Sequence, residues 1–264
     1  MAKVTKAAPE EKAKPVTTAN QAVNAYDWGQ EQQTGFESTR PEDFGIPFLA
    51  MLQKNSPQVD EDDSDYALKG IEGATAGMII NTATNKIVYD RSEGSFLLFV
   101  PVFHEKLWQE WKKREAGGGF IKSHNTPVIL TDTKRNEKNQ DELPNGNIII
   151  TTSYFSGFYL DKEQDTWVRA ILPMSSTQLK KARGWLNLMQ SIKINGKMPP
   201  MFSHSYAITA VGESNEKGSW AGYKIELHKA LTKEDHELIV ECRETLTNCL
   251  QTKQLNAPAD PEAF

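Results

Sequence analysis

The chain has 264 residues, 38% of them hydrophobic, and a formal net charge of −5, enough apolar content for one domain with extensions and too much for wholesale disorder. No apolar run approaches the roughly 18 residues of a membrane-spanning helix, and no apolar stretch follows the lysines of the N-terminus, which speaks against a secretory signal. Cys242 and Cys249 fall about 10 Å apart on a helix, beyond disulfide reach, so two reduced thiols and a cytoplasmic protein are expected.

In chain order, residues 1–25 are rich in Ala, Lys, Glu, Pro and Thr without periodic apolar positions, and read as a disordered leader. Residues 26–94 read as an N-terminal arm, an acidic loop and a hairpin packing on a core. Phe44–Leu52 is apolar, but Gly45 and Pro47 argue for an extended arm over a helix. The acidic run 60–65 fails as a calcium loop. Counted from Asp60, its sixth and twelfth positions are Asp65 and Ile71 where Gly and Glu are needed, so a solvated loop is expected. Met78–Asn81 and Lys86–Tyr89 flank a Thr/Ala/Asn turn and predict a β-hairpin.

Ser95–His104 is a strand-like run in which Pro101 requires an edge or a bulge. Glu105–Arg114 is expected as a short helix broken by Gly117–Gly119, and residues 132–147 as a long exposed loop. Asn147–Leu160 and Thr166–Met174 predict strands, Ser175–Ile192 a helix, and Met201–Val211 and Ser219–Leu227 two more strands. Thr232–Thr252 predicts a helix with Thr232 capping and Asp235 three residues on, within a C-terminal helical region over 231–253. Residues 254–264 form a Pro-broken acidic tail. The fold expected is mixed β/α, mainly β. It is an OB-like five-stranded barrel over 95–230 with an extra hairpin, a helix between strands 3 and 4, and a C-terminal helix.

Charge is unevenly spread. Residues 95–230 carry 18 Lys and Arg against 13 Asp and Glu, residues 1–94 carry 9 against 15, and residues 231–264 carry 3 against 7. A basic centre interleaved with aromatics suits a single-stranded nucleic acid, whose bases stack on rings and whose phosphates take cations. Trp108, Trp111, Tyr154, Phe158, Trp167, Tyr206, Trp220 and Tyr223 are the stacking candidates. Lys112, Lys113, Arg114, Arg169, Lys180, Lys181, Arg183 and Lys224 are the phosphate candidates. Trp185, among Leu186 and Leu188, reads as core. The tail ends on Phe264 with Asp260 and Glu262 upstream, a peptide able to compete for a basic groove or to dock its terminal carboxylate in a partner's pocket.

The strand order over about 95–228, the helix at 232–252 and the tail Asp260-Pro261-Glu262-Ala263-Phe264 resemble the OB-fold single-stranded-DNA-binding proteins of bacteriophages. Ile46–Lys54 also looks like a segment of phage-encoded proteins. The resemblance implies coating of replication or recombination intermediates in the host cytoplasm, without strong sequence preference. It also implies that Phe264 contacts replication or recombination proteins. The tail departs from that pattern in carrying only two acidic residues, and 94 residues precede the expected barrel. No enzyme and no cofactor is expected. Asp132-Thr133-Lys134 with Asp90 upstream is the one nuclease-like arrangement, and no zinc spacing joins the cysteines to a histidine. A phage structural or scaffold protein, with the aromatics in subunit contacts, is the other alternative.

Overall fold

The computed structural model describes residues 46–252 apart from Ser64 and Lys217. The expected leader over 1–25 and the tail over 254–264 lie outside the described residues. Three short strands, β1 (Leu49–Met51), β2 (Ile79–Asn81) and β3 (Lys86–Tyr89), form an antiparallel sheet in that order. The predicted hairpin is therefore present, and its turn is fixed by the Asn81 side chain accepting from the Ala83 N–H at 3.0 Å. The acidic run folds into successive turns. Asp63 accepts from the Asp65 N–H at 2.8 Å, ahead of the short helix α1 (Tyr66–Lys69).

The main sheet is built from five long antiparallel strands: β4 (Leu97–Trp111), β8 (Ile148–Asp161), β9 (Thr166–Ser175), β10 (His204–Asn215) and β11 (Gly218–Ala230). Their spatial order is β9-β8-β4-β10-β11. Helix α2 (Leu179–Ser191) lies between β9 and β10 in sequence, and helix α3 (His236–Thr252) follows β11. The architecture is thus mixed β/α and mainly β, a curled antiparallel sheet forming a half-barrel. Pro101 sits where the β4–β8 register shifts, between Pro101 and Phe103, consistent with a residue that cannot donate to a ladder.

Three local expectations are corrected. Glu105–Arg114 is not a helix: β4 runs on to Trp111, followed by a short 3₁₀ turn at Arg114–Ala116. Pairing with β8 on one edge and with β5 (Phe120–His124) on the other overrides the segment's helix propensity. Gly117, Gly118 and Gly119, the expected helix breakers, form the reversal between β4 and β5, each at positive φ. The loop expected over 132–147 contains a small hairpin, β6 (Lys134–Arg135) and β7 (Asp141–Glu142), and β7 adds to the start of β8. Val128–Thr131, which look strand-like in sequence, lie in a 3₁₀ turn over Pro127–Asp132.

Period-2 alternation gives the curled sheet two faces. The inner face collects Phe99, Phe155, Tyr159, Leu172, Met174, Tyr206 and Ile208 against Ala182 and Trp185 of α2. Trp185 is core, as expected, with its ring 4.4 Å from Phe155 and 5.3 Å from Tyr206. Gly157 of β8 faces the Val100 carbonyl and the Phe99 ring so closely that any Cβ would collide with both. On the outer face Val100, Val102 and Phe158 pack against Leu238 and Cys242 of α3, with Trp167, Ile239 and Leu246 at the margin. Burial pushes the Cys242 thiol up to about 12, so it is inert at neutral pH. Ahead of α3, Asp235 accepts from the Thr232 N–H at 2.8 Å, the reciprocal half of the capping arrangement read from sequence.

Among the described residues no strand pairing joins β9 to β11, the two edges of the curl. The arm fills that gap. Phe48 bridges to Ile171 in parallel, and the Ile171 N–H donates to the Pro47 carbonyl at 2.9 Å. On the opposite edge the Gln53 side-chain amide donates to the Ala221 carbonyl at 3.1 Å and accepts from the Ala221 N–H at 2.9 Å. One residue thereby satisfies an open strand edge as a neighbouring strand would.

Candidate nucleic-acid interface

Where the arm spans the gap, a groove of about 560 Å³ remains on the outer side of β8 and β9. Its floor is Gln109, Thr152, Tyr154 and Pro173. One wall is the arm from Leu49 to Asn55, and the others are Ser175–Gln178 and Ser219–Tyr223. Alternation explains the floor: Leu107, Tyr154 and Ile171 cluster on this face under Phe48, and Gln109 and Thr152 continue the same face beyond them. The Phe48 ring meets Tyr154 edge-on at 6.3 Å.

The floor is a buried polar network. Tyr154 is hydrogen-bonded through its side chain to Thr152 and Gln109, and burial pushes its phenol well above the ordinary value. The Thr152 hydroxyl lies 3.5 Å from Gln109 Oε1. Burial likewise raises the phenol of Tyr223, which is hydrogen-bonded to the backbone of Met51. Gln178 accepts from the Tyr223 N–H at 3.1 Å, repeating for β11 what Gln53 does two residues earlier.

Trp220 walls the groove at the β10–β11 turn. Its indole N–H donates to Glu213 Oε2 at 2.8 Å, and Lys181 Nζ lies 2.6 Å from Glu213 Oε1. The Lys181 ammonium, assisted by the indole N–H, holds the Glu213 carboxyl below the usual range against a smaller opposing effect of burial. Gly222 leaves room for this pair, because a Cβ there would meet Lys181 Nζ at 2.5 Å and Glu213 Oε2 at 2.6 Å.

Of the stacking candidates, Tyr154, Trp220 and Tyr223 come together at this groove. Most of the ring set needs correction. Trp111, Tyr154, Phe158, Tyr206 and Tyr223 are each 5% exposed or less, so none offers a free face to a base. Trp111 packs on Phe120, Tyr206 on Trp185, and Phe158 under α3, because apolar rings on covered strand faces gain most by burial. Trp108 is half-buried opposite Thr151 and His124, and Trp167 lies against the α3 cluster.

The cations are dispersed. Lys112, Lys180 and Arg183 are exposed. Lys224 is also exposed and pairs with Glu226 at 2.9 Å. Lys113 pairs with Glu142 at 2.6 Å, and the Arg169 guanidinium sits 6.0 Å from the Phe158 ring. Arg114 belongs to the turn after β4. Asp260, Glu262 and Phe264 lie outside the described residues. Asp90, the upstream carboxylate of the nuclease-like arrangement, accepts from the Ser92 N–H at 2.7 Å. Among the described residues no group of three or more His, Cys, Asp or Glu side chains could hold a metal ion, and no helix is long and apolar enough to cross a membrane.

Sequence reasoning missed Gln53, Gln109, Thr152, Ser175, Thr177 and Gln178 as lining residues, because neutral amides and hydroxyls carry no signal until the strand faces and the arm's path are known. It also missed Lys54, a lone lysine outside the basic centre. A family model described as Pam3 phage gp34-like protein matches residues 16–254. No curated protein and no solved structure matches the chain.

Proposed function

We propose that this chain, which belongs to the Pam3 phage gp34-like family, is a non-enzymatic phage protein that binds single-stranded DNA in the groove over β8 and β9. The observation that carries the reading is the groove's position. The strands β4, β8 and β9, then α2, then β10 returning beside β4, then β11, follow the order of an OB barrel. Such barrels hold oligonucleotides on the face of their second and third strands, between the first-to-second and fourth-to-fifth connections. Here those strands are β8 and β9. Gln109 stands near the root of the 112–147 connection, and Ser219 and Trp220 follow the β10–β11 turn. The departure from an OB barrel is the gap between β9 and β11, spanned by the arm in place of direct strand pairing.

In this reading Trp220 supplies the stacking surface and Lys54, exposed on the arm, a phosphate contact. The tail residues Asp260, Glu262 and Phe264 recruit replication or recombination proteins in the host cytoplasm. A mobility-shift titration of the full chain with labelled single- and double-stranded oligonucleotides tests the proposal. Retention of the single strand in preference to the duplex is expected, and equal indifference to both would sink it.

A further inference from the structure

Among the described residues the groove holds one cation, Lys54, in a lining that is otherwise neutral, and one cation is little for a phosphate backbone. The outer face of β10 and β11 continues from the groove. Tyr206, Ile208, Ala210, Ala221 and Tyr223 point inward to the core, so alternation turns Glu213 outward on β10 and Trp220, Gly222, Lys224 and Glu226 outward on β11. Trp220 and Glu213 fit that assignment, being cross-strand partners joined by a hydrogen bond of 2.8 Å. Lys224, Glu226, His228 and Lys229 are exposed, so this face is open to solvent.

At its far end stands a second ring, Phe96, which was not among the stacking candidates. Phe96 is 37% exposed, its ring lies 5.4 Å from that of His228, and Lys162 Nζ lies over it at 5.6 Å. Phe96 precedes the inward Leu97, so it faces outward. His228 is the extra residue of a bulge, between Leu227 paired with Tyr206 and Lys229 paired with Ser205. On the intervening strand β10, Ala207 and Thr209 are short and half-buried, which lets the two rings meet above them. Lys162, in the β8–β9 turn, and Lys229 are exposed, and neither has a carboxylate partner among the described residues.

We propose that a single strand bound at Trp220 runs along the outer face of β11 and stacks a second base on Phe96, with Lys162 and Lys229 taking its phosphates. The proposal rests on the reading of the groove as a single-strand site and gives that site a second half. Trp220 and His228 are eight residues apart on one strand, roughly 26 Å at the rise of an extended chain. OB folds cover about 4–16 nucleotides, enough for one strand to reach both rings. Between the rings Glu213 is paired with Lys181 and Glu226 with Lys224, so no unpaired carboxylate interrupts the path. Lys162 covers the Phe96 ring by a flexible stem, and a base that takes its place frees the ammonium for the adjoining phosphate.

The test is a fluorescence-anisotropy titration of the full chain with labelled oligo-dT of about 3 and about 12 nucleotides, below and within the span an OB fold covers. Phe96→Ala should weaken the longer oligonucleotide about tenfold, the contribution of one stacked base, and leave the shorter one unchanged. Lys162→Gln, at an exposed turn position that keeps the test open should Phe96→Ala fold poorly, should make the logarithmic salt slope of the longer one shallower by about 0.7. Parent-like affinity and salt slope in both variants would overturn this extension of the site while leaving the groove intact. Equal losses on the two lengths would overturn it as well. Failure of the parent chain to bind either length would overturn the reading of the groove together with its extension.

Discussion

The outer face of β8 and β9 is divided into two halves with opposite fates. At one end Phe158 and Trp167 lie beneath α3, joined by Val100 and Val102 of β4, and the Arg169 guanidinium is pressed toward the Phe158 ring. At the other end Thr152, Tyr154, Pro173 and Ser175 lie beyond α3 and line the groove with the arm and Trp220, Thr152 and Tyr154 being buried at its floor. The same two strands supply both halves, so strand geometry is not the difference. Composition is. The covered half presents apolar side chains that gain by meeting Leu238, Ile239 and Leu246, whereas the other half presents the side chains of Gln109, Thr152 and Tyr154, which hydrogen-bond one another and gain little from an apolar helix.

Breaking the covered half should have the largest effect. Phe158→Ala removes a ring that is 2% exposed and leaves a cavity under α3, so a loss of about 3–5 kcal/mol in chemical denaturation is expected. A value near zero would mean that α3 does not depend on this face. Trp220→Ala acts on the open half. The side chain is half-buried and walls a solvent-filled space, so the unfolding midpoint should move little. Single-strand affinity should fall by about 1–3 kcal/mol, the contribution of one stacked base.

The smallest effect concerns the support of Trp220. Glu213 has its folded pKa depressed by Lys181 and the Trp220 indole. Its contribution to stability is therefore fully present above the ordinary carboxylate value of about 4.3 and is lost as pH falls through the depressed folded value. Glu213→Gln should flatten the loss of stability in that acid window relative to the parent chain, and should leave the pH dependence near neutrality unchanged. An identical acid profile for the two proteins would remove the Lys181–Glu213–Trp220 link from the account of how the indole is held.

Much of the fold is legible in the residues. The runs at 147–160, 166–174 and 219–227 are strands because their apolar periodicity is near 2, as is the expected run at 201–211 from His204 on, its first three residues forming a 3₁₀ turn. The segment 179–191 is a helix because Ala182, Trp185, Leu186 and Met189 repeat at helical spacing on one side. The segment from Glu105 to Trp111 misleads, because its charged and long side chains favour a helix while β5 and β8 impose a strand from both edges. The candidate site was scarcely legible. Trp220 and Lys181 were singled out, but Gln109 and Thr152 gained a role only from being neighbours on one face.

Alternation and turn chemistry by themselves determined the order of strands and helices, because those signals are local and each is read within a few residues. Which face of each strand would be sealed was decided only by tertiary structure. An arm from Pro47 to Gln53 meets Ile171 and Ala221 more than a hundred residues away, and α3 returns over Phe158. Burial is a property of what arrives from elsewhere in the chain, and for that reason rings that look like contacts in sequence became core while plain amides were left facing the open groove.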